Sequence, residues 1–137
     1  MVPLDGRLPV AAWRPPCDRG PMRATGVHHV SVNVSDVDAA LSFYVGDLGL
    51  RPRHDRPELG VGGAWLDAGD QQIHLIEAPV PPDRGQHFAL LVEDLDAVVD
   101  ELRGRGLAVG DPTPIGRSRQ AFITDPSGNS IELHEPG

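Results

Sequence analysis

The stretch GVHHVSVNVSDVDAALSFYV, residues 26–45, decides the fold. It begins by alternating: Val30, Val32 and Val34 share one face of an extended chain, and His29, Ser31 and Asn33 share the other. Ser35 and Asp36 then offer N-cap oxygens, and Val37, Ala40, Leu41 and Tyr44 recur at helical spacing as far as Gly46 and Gly49. The expected unit is a strand that feeds an amphipathic helix. A shift of 58 residues superposes His29 on His87, Val34 on Val92, Asp36 on Asp94, Asp38 on Asp96, Ala39 on Ala97 and Gly46 on Gly104. The same shift then pairs Asp67 with Asp125, Ile73 with Ile131, Leu75 with Leu133 and Glu77 with Glu135, with no net insertion. Such a repeat marks a duplicated structural unit.

Outward from this stretch, residues 50–55 and 64–67 read as strands, and 71–77 as another after the Gly69-Asp70 turn. Module one, residues 24–78, is therefore β-α-β-β-β. Residues 79–85 form a linker stiffened by Pro79, Pro81 and Pro82. Module two, residues 86–136, repeats the order with a strand at 86–92, a helix at 95–103, and short strands near Ala108, at 121–124 and at 130–133. Residues 111–119, DPTPIGRSR, are expected to be a loop without a core pattern. The two βαβββ modules belong to one α+β domain at 22–137. Residues 1–21 carry five prolines among charges and glycines and read as a disordered arm. Met22, just before the first strand, is a candidate natural start.

A chain of 137 residues is long enough to bury roughly two-thirds of its unfolded surface in one domain. Its formal charge of −8 argues against nucleic-acid or anionic-membrane partners and leaves small molecules or proteins. All twelve basic residues are arginine, so lysine chemistry is excluded. The single Cys17 rules out an intrachain disulfide and suits a reducing cytoplasm. No apolar run approaches the ~20 residues of a membrane span, and the N-terminus lacks the apolar core of a signal peptide. The expected location is cytoplasmic.

Strand parity singles out four polar residues. His29 lies opposite the valines, and His87 lies with Ala89 and Leu91 opposite Phe88, Leu90 and Val92. His74 points away from Ile73 and Leu75, as Glu132 does from Ile131 and Leu133. An approximate two-fold between the modules brings His29 towards His87 and His74 towards Glu132, three imidazoles and a carboxylate suited to a divalent ion of Mn, Fe, Co, Ni or Zn. His74 fits equally as a fourth ligand, a substrate contact or a general base. Glu132 and His74 are the two candidates for catalysis. Ser31, Asn33, Ala89 and Leu91 are expected to line a small mixed cavity, and Arg117 and Arg119 to clamp a carboxylate or phosphate at its mouth. His28, His54 and His134 are read as packing or surface residues, Trp65 and Phe122 as packing, and Asp67 and Asp125 as turn residues.

The segments HHVSVNVSDVDAALSFYVGDLGL, HFALLVEDLDAVVDEL and FITDPSGNSIELHE, the last being the most specific, resemble the vicinal oxygen chelate superfamily of glyoxalase, bleomycin-resistance and dioxygenase proteins. The resemblance spans about residues 24–136 and implies paired βαβββ modules that form a curled mixed sheet, an incomplete barrel around a divalent metal ion on its concave face, with His29, His87 and Glu132 at the usual ligand positions. It implies a homodimer as well, since in some members the site joins module one of one chain to module two of the other. Histidine at 74 departs from the glutamate or glutamine of glyoxalase I enzymes. The absence of lysine departs from fosfomycin thiol transferases, which place a hydroxyl where Ser31 stands. The implied activity is chelation of two neighbouring oxygens of a small organic substrate with stabilisation of an enolate or similar oxyanion, in a lyase, isomerase or dioxygenase. The alternative is a binding protein of the bleomycin-resistance type, without turnover.

Overall fold

Asp36 and Asp94 start the two helices in the same way. Each has an extended backbone and a side-chain oxygen that accepts from the amide three residues on, Ala39 and Ala97, at 3.1 Å. In the computed structural model, which describes residues 23–137, strand β1 (His29–Val34) leads into helix α1 (Val37–Leu41), continued by a π-helical stretch at Ser42–Asp47. Strands β2 (Arg51–Pro52), β3 (Gly63–Ala68) and β4 (Gln71–Glu77) complete module one. Module two comprises β5 (His87–Leu91), helix α2 (Leu95–Gly104), β6 (Thr113–Ile115), β7 (Ser118–Thr124) and β8 (Ser130–Glu135). The arm expected at 1–21, Cys17 and Met22 lie outside the described residues.

Each module forms a four-stranded mixed sheet, ordered β1-β4-β3-β2 and β5-β8-β7-β6, and the two sheets do not close into a barrel. The first strand runs parallel to the fourth in both. Strand β2 is shorter than expected because Pro52 has no amide proton for the ladder, although the Arg53 amide still donates to the Trp65 carbonyl at 2.8 Å. The strand expected near Ala108 is a single bridge, Val109 to Ile123. The expected loop at 111–119 is instead a hairpin in which β6 turns through Gly116, at φ 57°, into β7. Pro114 is tolerated there because β6 is an edge strand.

The repeat is not uniform in register. Its caps are 58 residues apart, but Gly49 and Gly106, whose positive φ of 76° and 87° turns the chain after each helix, are 57 apart. The extra residue of module one lies in the π-helical stretch, where a widened turn absorbs it. Leu66 therefore corresponds to Ile123, Trp65 to Phe122 and Asp67 to Thr124, as the pairings with β4 and β8 require. This corrects the pairing of Asp67 with Asp125. A turn one residue longer between β7 and β8 restores the shift of 58.

Parity holds in the core. Val32, Val34, Leu66, Ile73 and Leu75 from one sheet join Ala121, Ile123, Ile131 and Leu133 from the other in one apolar cluster with Phe43, Tyr44, Leu95, Val99 and Leu102 of the helices. Polar ties cross between the modules. The buried Tyr44 hydroxyl donates to Asp125 Oδ2 at 2.6 Å, and Asn129 Nδ2 donates to the Asn33 carbonyl at 2.8 Å. Asp125 also accepts from the amides of Ser127 and Asn129, so it is an inter-module anchor as well as a turn residue. Burial, with the Asp125 carboxylate beside it, pushes the Tyr44 phenol up from its ordinary range.

Strands β1 and β5 face each other across the module boundary. One cleft, about 330 Å3, brings Ser31 and Asn33 towards His87, and a larger cavity of about 840 Å3 brings Val27 and Val30 towards Leu90 and Leu91. The start of each strand thus lies beside the end of the other, and the two run in opposite directions. Among the described residues no helix is long and apolar enough to cross a membrane.

Candidate metal centre

The antiparallel passage of β1 and β5 separates the expected ligands. His29 begins one strand and His87 the other, so within one chain they stand at opposite ends of the boundary. Among the described residues no three His, Cys, Asp or Glu side chains gather where one metal ion can be held. Within one chain His29, His74, His87 and Glu132 do not converge: His29 lies with His74 on one sheet and His87 with Glu132 on the other.

On the module-two sheet His87, Glu132 and His134 form a linked set. His87 Nδ1 lies 2.9 Å from the Gly85 carbonyl, which can only accept, so the proton is on Nδ1. Nε2 then faces Glu132 Oε1 at 3.2 Å. A lone pair opposite a carboxylate oxygen requires a positive charge between them, from a proton or from a cation. Donors bound at 2.0–2.2 Å and at right angles are about 3 Å apart, so the pair is spaced as adjacent ligands of a divalent ion. Glu132 is only 8% exposed, and His134 Nδ1 lies 2.8 Å from its other oxygen. That contact orients the carboxylate as outer-shell partners orient metal ligands. His134 was expected to be a packing or surface residue, yet parity places it two positions after Glu132 on the same face.

The module-one half is a stack. The His74 ring lies between His29, with centroids 4.1 Å apart and planes at 12°, and Trp65, at 4.4 Å and 9°. In-plane lone pairs of stacked rings lie in separate, nearly parallel planes, so this stack does not aim His29 and His74 at a common ion. The Gln72 side-chain oxygen accepts from His74 Nε2 at 2.8 Å, leaving the lone pair on Nδ1. Burial lowers the proton affinity of His74, and the neighbouring charges of His29, His28, Arg53 and Arg56 lower it further. The ring is thus kept neutral, with the Nδ1 lone pair available. His29 shares a 2.9 Å contact between Nδ1 atoms with His28, which orients it and leaves its Nε2 free.

Trp65 and Phe122 pack as expected, each against a histidine of the candidate site. They occupy equivalent positions, and Phe122 meets His87 edge to face with centroids 5.1 Å apart. The one-residue slip hides their equivalence in the sequence. Ser31, Ala89 and Leu91 are exposed on the two polar faces, whereas Asn33 is spent on the linker, its Nδ2 donating to the Pro79 carbonyl at 3.0 Å. Arg119 does not reach the site. It shares the parity of Ala121, so it lies on the helix side and holds Asp96 of α2 through two bonds of 2.9 Å, keeping that carboxyl below the usual carboxylate range. Arg117 is exposed in the β6–β7 turn.

Comparison with known proteins places this geometry. The chain is 30% identical over 128 residues to the uncharacterized protein YwkD of Bacillus subtilis, matching 83% of this chain and 99% of that protein. It is 29% identical to lactoylglutathione lyase GLX1 of Arabidopsis thaliana and 27% identical to metallothiol transferase FosB of Staphylococcus epidermidis, over 80% and 82% of this chain. It spans 44% of GLX1 and 83% of FosB. A crystal structure from Bacillus anthracis superposes with a TM-score of 0.79 at 28% identity, over 86% of this chain and all of that one. TnmS3, an antibiotic binding protein from Streptomyces sp. CB03234, superposes with a TM-score of 0.74 at 31% identity, over 85% of this chain and all of that one. The profile of the Glyoxalase/Bleomycin resistance protein/Dioxygenase superfamily matches residues 26–133, and the chain belongs to that superfamily.

Proposed function

We propose that the protein is a divalent-metal-dependent enzyme whose site is assembled from module one of one copy and module two of another. The observation that carries this reading is the His87–Glu132 pair, with Nδ1 of His87 committed to a carbonyl, Nε2 spaced for a shared cation, and Glu132 oriented by His134. His29 of a second copy, which also keeps a free nitrogen, completes the set. The exposed apolar residues support a second copy: Leu91 is 78% exposed and Phe122 37% on the face that carries His87, as part of an apolar surface that association would cover.

When bound, the ion supplies a Lewis acid that polarises two neighbouring substrate oxygens. The residues supply the rest. His74, neutral through burial, accepts a proton at Nδ1, and its fixed stack on Trp65 sets the direction of transfer. Glu132 is the second group able to hold a proton. Ser31, Ala89 and Leu91 bound the substrate space. This division of work suits enolate or oxyanion chemistry of lyase, isomerase or dioxygenase type, and the similarity to a lactoylglutathione lyase and a metallothiol transferase agrees with it.

A second reading has its own support. The similarity to the antibiotic binding protein TnmS3 fits a module pair that sequesters a small molecule without turnover. Metal analysis of protein purified without chelators, beside the His87→Ala and Glu132→Ala variants, decides between them. The enzyme reading expects a stoichiometric divalent ion in the wild type and its loss in both variants. Absence of the ion from the wild type overturns it in favour of sequestration.

A further inference from the structure

The larger cavity between the modules, about 840 Å3, is lined by neither His87 nor Glu132. Val30, Ile73, Phe88, Leu90, Val92 and Leu133, which do line it, have the parity of the core, opposite to that of His29, His74, His87 and Glu132. Most of its wall therefore lies on the helix side of the two sheets, where α2 adds Val98 and the chain after the π-helical stretch adds Leu50. Val30, Leu50, Phe88, Leu90, Val92 and Val98 are half-buried beside the apolar cluster rather than inside it. Apolar side chains of both modules thus face one space that no described residue fills.

The charges at this cavity are of one sign. Asp47, Asp70 and Glu101 line it, and among the described residues no arginine or histidine does. Arg105, outside the lining, lies 3.6 Å from Asp47 Oδ1 and 3.2 Å from Glu101 Oε1, so one guanidinium serves both carboxylates. Asp70, exposed on the β3–β4 turn, has no ion pair among the described residues. A cleft with apolar walls and charges of one sign focuses the field and draws the opposite charge to itself. Its size and its few polar groups are those of a small-molecule pocket. We infer that this cavity is a second small-molecule site, and that its ligand is an ammonium group on an apolar body, the body between the modules and the charge towards Asp70 and Glu101. The site stands independently of the proposed function, because its walls belong to the opposite face of the sheets from the His87–Glu132 pair.

The test titrates octylammonium, octanol and octanoate, which share one apolar body, into the full chain before and after treatment with a chelator, following binding heat and the methyl resonances of Leu90 and Val98. The expected result is that octylammonium binds and moves those resonances, that octanol binds more weakly and octanoate more weakly still, and that chelation changes none of this. Salt raised to about 0.5 M weakens the binding of octylammonium and not that of octanol. Asp70→Asn, at an exposed turn position, weakens octylammonium roughly two- to fivefold and leaves octanol unchanged, a split that a folding defect does not produce. Val98→Trp, which fills the space, weakens both by roughly tenfold or more. The inference is overturned if octylammonium does not bind, if octanoate binds as tightly, if Asp70→Asn leaves the octylammonium affinity unchanged, or if chelation abolishes binding. Binding that appears only once residues 1–22 are removed, or only at protein concentrations low enough to separate two copies, also overturns it, since the cavity then belongs to that segment or to a second copy.

Discussion

At the residue scale the site depends on which nitrogen of each imidazole is already committed. His87 gives Nδ1–H to Gly85 and His74 gives Nε2–H to Gln72, so the free lone pairs are Nε2 and Nδ1 respectively. Under the proposed function the ligand and the base are thereby distinguished by their hydrogen-bond partners, although both are strand histidines. His134 gives a direct test of how Glu132 is held, because its Nδ1 lies 2.8 Å from Glu132 Oε2. His134→Ala is expected to weaken metal binding about 10–100-fold by freeing the carboxylate to rotate, while His134→Gln, which can still donate, restores part of it. Competition with a metal-binding dye measures both. An unchanged affinity in His134→Ala would mean that Glu132 needs no support. The signal for His134 was present in the sequence, since it shares the parity of Glu132, but a lone strand histidine reads as packing until its neighbour is known. The same parity, taken from Ala121 and Ile123, would have put Arg119 on the helix side.

At the element scale the alternation of valines in β1, the paired Asp caps and the helix spacing were legible, because each depends on residues near in sequence. The π-helical stretch was not. One residue added within a helix preserves its apolar face and shows only downstream, as the slip that pairs Trp65 with Phe122 and separates Asp67 from Asp125. The hairpin at 113–124 was hidden by Pro112 and Pro114, which argue for a loop unless the strand is known to be an edge. The tie between elements of different modules can be tested directly. Tyr44→Phe removes the 2.6 Å bond to Asp125 from a buried position and is expected to cost roughly 1.5–3 kcal/mol in urea unfolding, with both modules unfolding in one transition. A change within about 0.5 kcal/mol would mean that Asp125 is satisfied by its own turn alone.

At the scale of the whole molecule the duplication predicts two equivalent halves but not how they meet. That arrangement rests on a few side chains, Tyr44 with Asp125 and Asn129 with the Asn33 carbonyl, whose partners are 81 and 96 residues apart and carry no periodic signal. Once β1 and β5 run in opposite directions, His29 and His87 cannot share an ion within one chain. Under the proposed function, His29 of one copy and the His87–Glu132 pair of another form a site, and two copies together supply two such sites. The measurement that tests this most directly is the metal content of a heterodimer purified with two tags from cells co-expressing His29→Ala and Glu132→Ala chains. Each variant alone should hold no stoichiometric ion, and the heterodimer should hold one, because one of its two sites retains both His29 and the His87–Glu132 pair. A heterodimer as empty as its parents would contradict a site shared between copies.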